Sequence, residues 1–141
     1  MVDEDRRNRL PIDGLRDWAR RDPDRIALDD LTTTMTFAEL LAYVESTAPV
    51  AREAMRSQPS GAHLPVIVDR SVGSAAAVFA CFFGRVPFVP IDAGMEPELK
   101  EALARRTGGS RVFLDGAGSG AGVPGAFALD VSVTPPQVDP A

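Results

Sequence analysis

Apolar residues at Ile12, Leu15, Trp18 and Ala19 repeat with helical spacing, and the stretch from Pro11 to Arg21 stops at the turn signal Asp22-Pro23-Asp24. A first helix is predicted there. Ile26-Ala27-Leu28 and Met35-Thr36-Phe37 flank the polar connection Asp29 to Thr34, a pattern that predicts a short β-hairpin. Thr36 and Glu39 have the spacing of a capping box, in which each side chain can bond the other residue's backbone N–H. Phe37, Leu40, Leu41, Val44, Ala48, Ala51 and Met55 then keep a helical period, giving a second helix. Pro49 interrupts it and predicts a kink near Glu45, because the proline ring crowds the carbonyl four residues back.

Beyond a Pro/Gly/Ser loop at Gln58 to Ala62, the chain alternates. Leu64-Pro65-Val66-Ile67-Val68 reads as a buried strand that stops at Asp69-Arg70-Ser71. Val72 to Phe83 is apolar nearly all round, as a helix covered on both sides would be. A strand over Val86 to Ile91 follows, and then a helix with Pro97 in its first turn, Leu99, Ala102 and Leu103 on one face, and Gly108-Gly109 at its end. Arg111 to Leu114 is the next strand and Ala126 to Leu129 a weaker one. Strand, helix, strand, helix, strand is the order that builds a parallel sheet, so the expected class is α/β with a small parallel sheet, flanking helices and a β-hairpin.

Composition changes this picture little. The 141 residues are 45% hydrophobic and 25% charged, with a formal net charge of -5, so there is no basic footprint for nucleic acid. Met1 to Arg9 is charged and lacks the apolar run of a secretory signal, and no apolar stretch approaches the roughly 20 residues that span a bilayer. A cytoplasmic protein without membrane or nucleic-acid partners is expected. Cys81 is the single cysteine, which leaves no intramolecular disulfide or thiolate metal cluster, and its apolar surroundings predict a buried structural thiol. Of the 15 basic residues only Lys100 is a lysine, so lysines for phosphate binding are scarce.

Four features carry candidate chemistry. Gly120-Ala121-Gly122-Val123-Pro124-Gly125 satisfies the G-x-G-x-x-G spacing, but Ala126-Phe127-Ala128-Leu129 after it is strand-like, and no helix opens to gather N–H dipoles on a pyrophosphate. A loop is the reading. His63 is the only histidine and lies in the loop before a strand, where exposure or a local hydrogen bond is expected rather than catalysis. Asp22, Asp24, Asp29 and Asp30 lack the alternation and glycine of a calcium loop and read as a solvated face. Asp69-Arg70-Ser71 falls at a strand's carboxyl end, where α/β sheets place ligand groups. The competing assignment is a turn in which Asp69 or Ser71 caps the following helix.

The most distinctive segment is Gly84-Arg85-Val86-Pro87-Phe88-Val89-Pro90-Ile91-Asp92. Proline removes a ladder donor, so two in one short strand are tolerated only at starts, edges or bulges. The segment resembles the Ala-Gly-x-x-Tyr-Val-Pro-Leu-Asp motif of adenylate-forming enzymes, which include nonribosomal peptide synthetase adenylation domains, acyl-CoA synthetases and luciferases. Other segments are similar in the same order. Arg21-Asp22-Pro23-Asp24-Arg25-Ile26-Ala27-Leu28 resembles the family's Thr-Pro-Asp-x-x-Ala-Leu opening, and Met35-Thr36-Phe37-Ala38-Glu39-Leu40 its Leu-Thr-Tyr-x-Glu-Leu motif. Val66 to Ser71 resembles a strand ending in an Arg-Ser turn, and Glu98-Leu99 to Leu114-Asp115 the helix and Gly-x-Arg-Val-x-Leu-x-Asp unit. The likeness spans about Leu10 to Asp115. It departs where Phe82-Phe83-Gly84 replaces an apolar-Lys-Ala-Gly start, and where Phe88 replaces tyrosine.

The resemblance implies the N-terminal subdomain of the adenylate-forming fold, from a family that activates carboxylic or amino acids as acyl-adenylates with ATP and Mg²⁺. It divides the chain into an arm over 1–10, a partial adenylation-like subdomain over 11–130 and a Pro-rich tail or linker over 131–141. The family's Ser/Thr/Gly-rich phosphate loop, Thr-Gly-Asp ribose contact and adenylation lysine would follow Gln137 to Ala141. The expectation is therefore a piece that is not catalytic alone, binds no cofactor by itself and offers no catalytic, cofactor-binding or metal residues. Its expected partner is the remainder of an adenylation domain. The alternative is a stand-alone scaffold that binds a biosynthetic protein or self-associates through apolar surface near Phe79, Phe82 or Phe83.

Overall fold

The structure is a computed structural model that describes residues 11–108, 112–116 and 127–129. Helix α1 is Pro11–Arg21, followed by a hairpin of β1, Ile26–Asp29, and β2, Thr34–Thr36. Helix α2 is Phe37–Met55, β3 is Leu64–Val68, α3 is Val72–Gly84, and β4 is Phe88–Asp92. Helix α4, Pro97–Arg106, precedes β5, Val112–Asp115, and β6, Phe127–Leu129. The larger sheet has the order β4-β3-β5-β6, and every neighbouring pair in it is parallel. The expected α/β class, with its hairpin and parallel pairing of three consecutive strands, is the observed one.

Helix α2 starts where the sequence places its cap. Glu39 N donates to Thr36 Oγ1 and Thr36 N donates to Glu39 Oε1, each at 3.1 Å. The next two N–H groups reach outside the helix: Phe37 N bonds Arg25 O at 3.0 Å and Ala38 N bonds Pro23 O at 3.1 Å. The first turn of α2 thus satisfies its orphan donors on the α1–β1 turn. Phe37 belongs to α2 rather than to the hairpin because its N–H is committed to that turn. The hairpin itself is antiparallel and carries an irregularity between Ile26 and Leu28. Pro49 lies inside α2 without ending it.

Helix α3 is a buried layer. On one side Val72, Ala76 and Ala80 meet Ile12 and Leu15 of α1 and Leu40, Tyr43 and Val44 of α2. On the other, Ala77 and Cys81 meet Leu64 and Val66 of β3 and Val112 and Leu114 of β5. The opposite sheet face buries Ile67, Ile91 and Phe113 against Ala93, Met95 and Leu103. That two-sided burial is what an all-round apolar helix predicts. Small residues make the close approach possible, since a Cβ on Gly84 would lie 3.2 Å from Ala48 Cβ.

The two prolines of the distinctive segment find separate explanations. The strand begins at Phe88, not Val86, because Val86 N closes the end of α3 on Cys81 O at 2.9 Å, with Arg85 left-handed at φ 53. Pro87 then precedes β4 and only its carbonyl is used, accepting from Leu64 N at 2.8 Å. Within β4, Ala93 N donates to Val68 O, so by alternation the nitrogen of Pro90 faces away from β3, on the outer edge of the sheet. A missing donor costs nothing there, and it makes that edge a poor template for another strand.

Candidate functional site at the carboxyl ends of the strands

Because β3, β4 and β5 are parallel, their carboxyl ends and the residues just beyond them, Asp69, Asp92 and Gly116, share one rim of the sheet. Open α/β sheets hold ligands on this rim where the strand order reverses. Here the chain passes from β3 to β4 on one side and then to β5 on the other, so the reversal lies between β3 and β5. Gly116 fills that position. Its N–H bonds Ile67 O at 2.9 Å, and a Cβ on it would lie 2.9 Å from the same oxygen and 3.1 Å from Ala77 Cβ and Ser74 Cα. Backbone packs against backbone there, and no crevice opens.

The N-terminus of α3 is the other natural anion cradle on the rim. The N–H groups of Val72, Ser74 and Ala75 are already occupied, the last by Ser71 O at 3.3 Å. Ser71 Oγ accepts from Ser74 N at 3.2 Å, and Asp69 Oδ1 accepts from Ser71 N at 2.8 Å and from Ser74 Oγ at 2.9 Å. Val72 N is taken by Asp30 Oδ2 at 2.8 Å, from 42 residues away. The capping assignment for Asp69 and Ser71 is the observed one. For Asp30 the expected solvated face is incomplete: the carboxylate also accepts from Thr32 N and Thr33 N through Oδ1, and so ties the hairpin turn to α3.

Electrostatics follow the same geometry. The hydrogen bond from Val72, followed by those from Thr33 and Thr32, holds the Asp30 carboxyl below the usual carboxylate range. Partial burial pushes Asp69 upward, and the bonds from Ser71 and Ser74 outweigh it, leaving a net lowering. A hollow of about 450 Å³ on the rim is lined by Val68, Asp69, Arg70, Pro90 and Asp92. Asp92 Oδ1 is itself engaged by Gly94 N at 2.8 Å. Two carboxylates beside one guanidinium make a poor seat for a triphosphate.

The remaining candidates do not line this hollow. His63 is exposed and its backbone N–H bonds Thr107 O at 2.9 Å. Asp22 and Asp24 are exposed, and Asp29 Oδ1 accepts from Leu31 N at 2.8 Å. Lys100 is buried on α4, 4% exposed. Cys81 is buried, and loss of solvation pushes its thiol up to about 12. Among the described residues no three His, Cys, Asp or Glu side chains gather as a metal site, and no helix is long and apolar enough to cross a membrane. The arm over 1–10, the Gly120 to Gly125 loop and the tail over 131–141 lie outside the described residues.

A second hollow, of about 560 Å³, sits beyond the other end of α3, lined by Phe82, Val86, Pro87 and Phe88 together with Cys81, Ile12, Arg85 and His63. The expectation for the three phenylalanines divides here. Phe79 and Phe83 pack on the chain's own core, and Arg16 lies 4.8 Å over the Phe83 ring. Phe82 is 53% exposed and meets Phe88 edge to face at 5.5 Å.

This architecture, a four-stranded parallel sheet under a buried helix with a hairpin docked on its N-terminus, is that of the N-terminal subdomain of adenylate-forming enzymes. IdnL1 is 24% identical with a TM-score of 0.56, over 72% of this chain and 20% of that one. O-succinylbenzoate coenzyme A synthetase (MenE) from Bacillus subtilis, solved with AMP, is 24% identical with a TM-score of 0.61, over 84% and 31%. The N-terminal subdomain of Klebsiella oxytoca NpsA, solved with anthranilyl-AMSN, is 18% identical with a TM-score of 0.56, over 86% and 31%. No family profile matches the chain.

Sequence similarity narrows the class. The nonribosomal peptide synthetase pboA of Aspergillus ustus is 30% identical over 89 residues, and the cyclosporin synthetase simA of Tolypocladium inflatum is 26% identical over 112. These matches span 63% and 79% of this chain but only 4% and 1% of the synthetases. The chain thus has the fold of the N-terminal subdomain of adenylate-forming enzymes, and in sequence it is similar to short stretches of nonribosomal peptide synthetases.

Proposed function

We propose that this chain supplies the N-terminal α/β layer of an ATP-dependent, carboxylate-activating ligase, and that the layer performs no adenylation by itself. The observation that carries the second half is the rim of the sheet, where the reversal point is filled and the hollow is lined by two carboxylates beside one guanidinium. At the head of α3 the N–H groups of Ser71, Val72 and Ser74 are held by Asp69, Asp30 and Ser71, and Gly116 fills the reversal point. Adenylation requires charge neutralisation on the α-phosphate and a carboxylate aligned for attack. Lys100, the only lysine, is 4% exposed. ATP and Mg²⁺ therefore belong to the assembled ligase, with groups outside this layer holding them.

Calorimetric titration of the chain with Mg-ATP is the test. No saturable heat is expected, whereas a stoichiometric isotherm would show that the rim opens and that the reading is wrong. The hollow beside Phe82 favours a second reading, in which the chain associates with itself or with a biosynthetic protein.

A further inference from the structure

The hairpin tip and the hollow beyond the C-terminal end of α3 have complementary chemistry. Leu31 is 97% exposed with φ 72, so the tip carries a whole apolar side chain into solvent, beside the acids Asp29 and Asp30. The tip is held in shape by the bonds that Asp29 and Asp30 accept from residues 31 to 33. The hollow is apolar on Phe82, Val86, Pro87 and Phe88, and its charged member, Arg85, is exposed. An acidic knob with a leucine at its end matches an apolar recess flanked by an arginine.

We propose that the tip of one copy of this chain docks in the Phe82–Phe88 hollow of another. The two features cannot meet within one copy. Asp30 is bonded to Val72 at the head of α3, while Phe82 and Arg85 lie at its tail, a helix of 13 residues, or about 20 Å, away. Each copy offers a tip and a hollow, so the contact either closes reciprocally as a two-fold dimer or propagates head to tail until a rotation closes a ring. Strand addition at the outer edge of β4 is a poorer route to self-association, since Pro90 withholds a donor there. This deepens the association reading and is independent of whether the chain contributes to a ligase.

Sedimentation velocity over a wide concentration range, with Leu31→Asp and Phe82→Asp variants, tests it. Both positions are exposed, and Asp tolerates the left-handed backbone at 31, so folding is expected to persist; circular dichroism of each variant verifies this. Wild type should grow in mass with concentration, and less so in high salt. Each variant alone should remain monomeric. A mixture of the two should form a 1:1 dimer and stop, because the hollow of Leu31→Asp and the tip of Phe82→Asp are each intact. Wild type that is monomeric throughout, variants that still associate, or a mixture that stays monomeric would each overturn the proposal.

Discussion

Two glycine-to-alanine substitutions should move stability in opposite directions, and the contrast tests the geometry that ties α4 to the sheet. Gly108 follows the C-terminal end of α4 with φ +106, and an added Cβ would lie 2.5 Å from Ala62 Cα and 3.2 Å from Ala62 N. Those are backbone atoms, so no rotamer change relieves the overlap. Next to it, His63 N bonds Thr107 O, which fixes the start of β3 against the end of α4. Holding a side chain at such a φ costs roughly 1–3 kcal/mol, and relieving the overlap adds to that. Against it stands a gain of about 0.4–1 kcal/mol from the stiffer unfolded chain. Gly108→Ala should therefore lose roughly 1–3 kcal/mol net. Gly14 lies inside α1 with nothing within 4 Å of an added Cβ and no positive φ, so Gly14→Ala should gain about 0.5–1 kcal/mol. Urea denaturation followed by circular dichroism reads both. A Gly108→Ala protein as stable as wild type, or a destabilised Gly14→Ala protein, would refute the reasoning.

Asp30→Asn keeps one carbonyl oxygen and loses the charge, so the Val72 amide should exchange with deuterium faster than in wild type, read by NMR. Because the folded carboxyl is held below its ordinary value of 3.8, its contribution is complete above about pH 4 and is lost as pH falls through the lower folded value. The stability gap between wild type and Asp30→Asn should accordingly be flat near neutrality and shrink in acid, as denaturation at several pH values would show. Thr36→Ala removes one half of the capping box and should cost about 1 kcal/mol, measured by thermal denaturation. Cys81, with its thiol pushed up to about 12 and no exposed surface, should resist iodoacetamide at pH 8 while folded and react promptly in denaturant, followed by mass spectrometry.

Local signals carried most of the fold. The Thr36–Glu39 box, the small-residue helix Val72–Gly84 and the alternation of strand and helix each depend on residues close in sequence, and each is found where the spacing places it. The strand near Val86 is where local reading slipped. Arg85 adopts the left-handed conformation expected of a glycine, while Gly84 is kept for its close approach to Ala48, so the helix end absorbs Val86 and shortens the strand. Asp30 was opaque for a different reason. Its acceptor role at Val72 joins residues 42 apart, and nothing in an acidic run tells which carboxylate a distant helix will take up. For the candidate site, the cap at Asp69 and Ser71 was legible as a turn. The closure of the reversal point by Gly116 was not, because it depends on three segments meeting.

The chain has the fold of the N-terminal subdomain of adenylate-forming enzymes, and the proposal is that it carries out no adenylation by itself. Carboxylate-dependent exchange of labelled pyrophosphate into ATP, run on the purified chain with a panel of amino and aryl acids, tests it most directly. Exchange equal to the no-protein control is the predicted result, and acid-dependent exchange above that control would contradict the account.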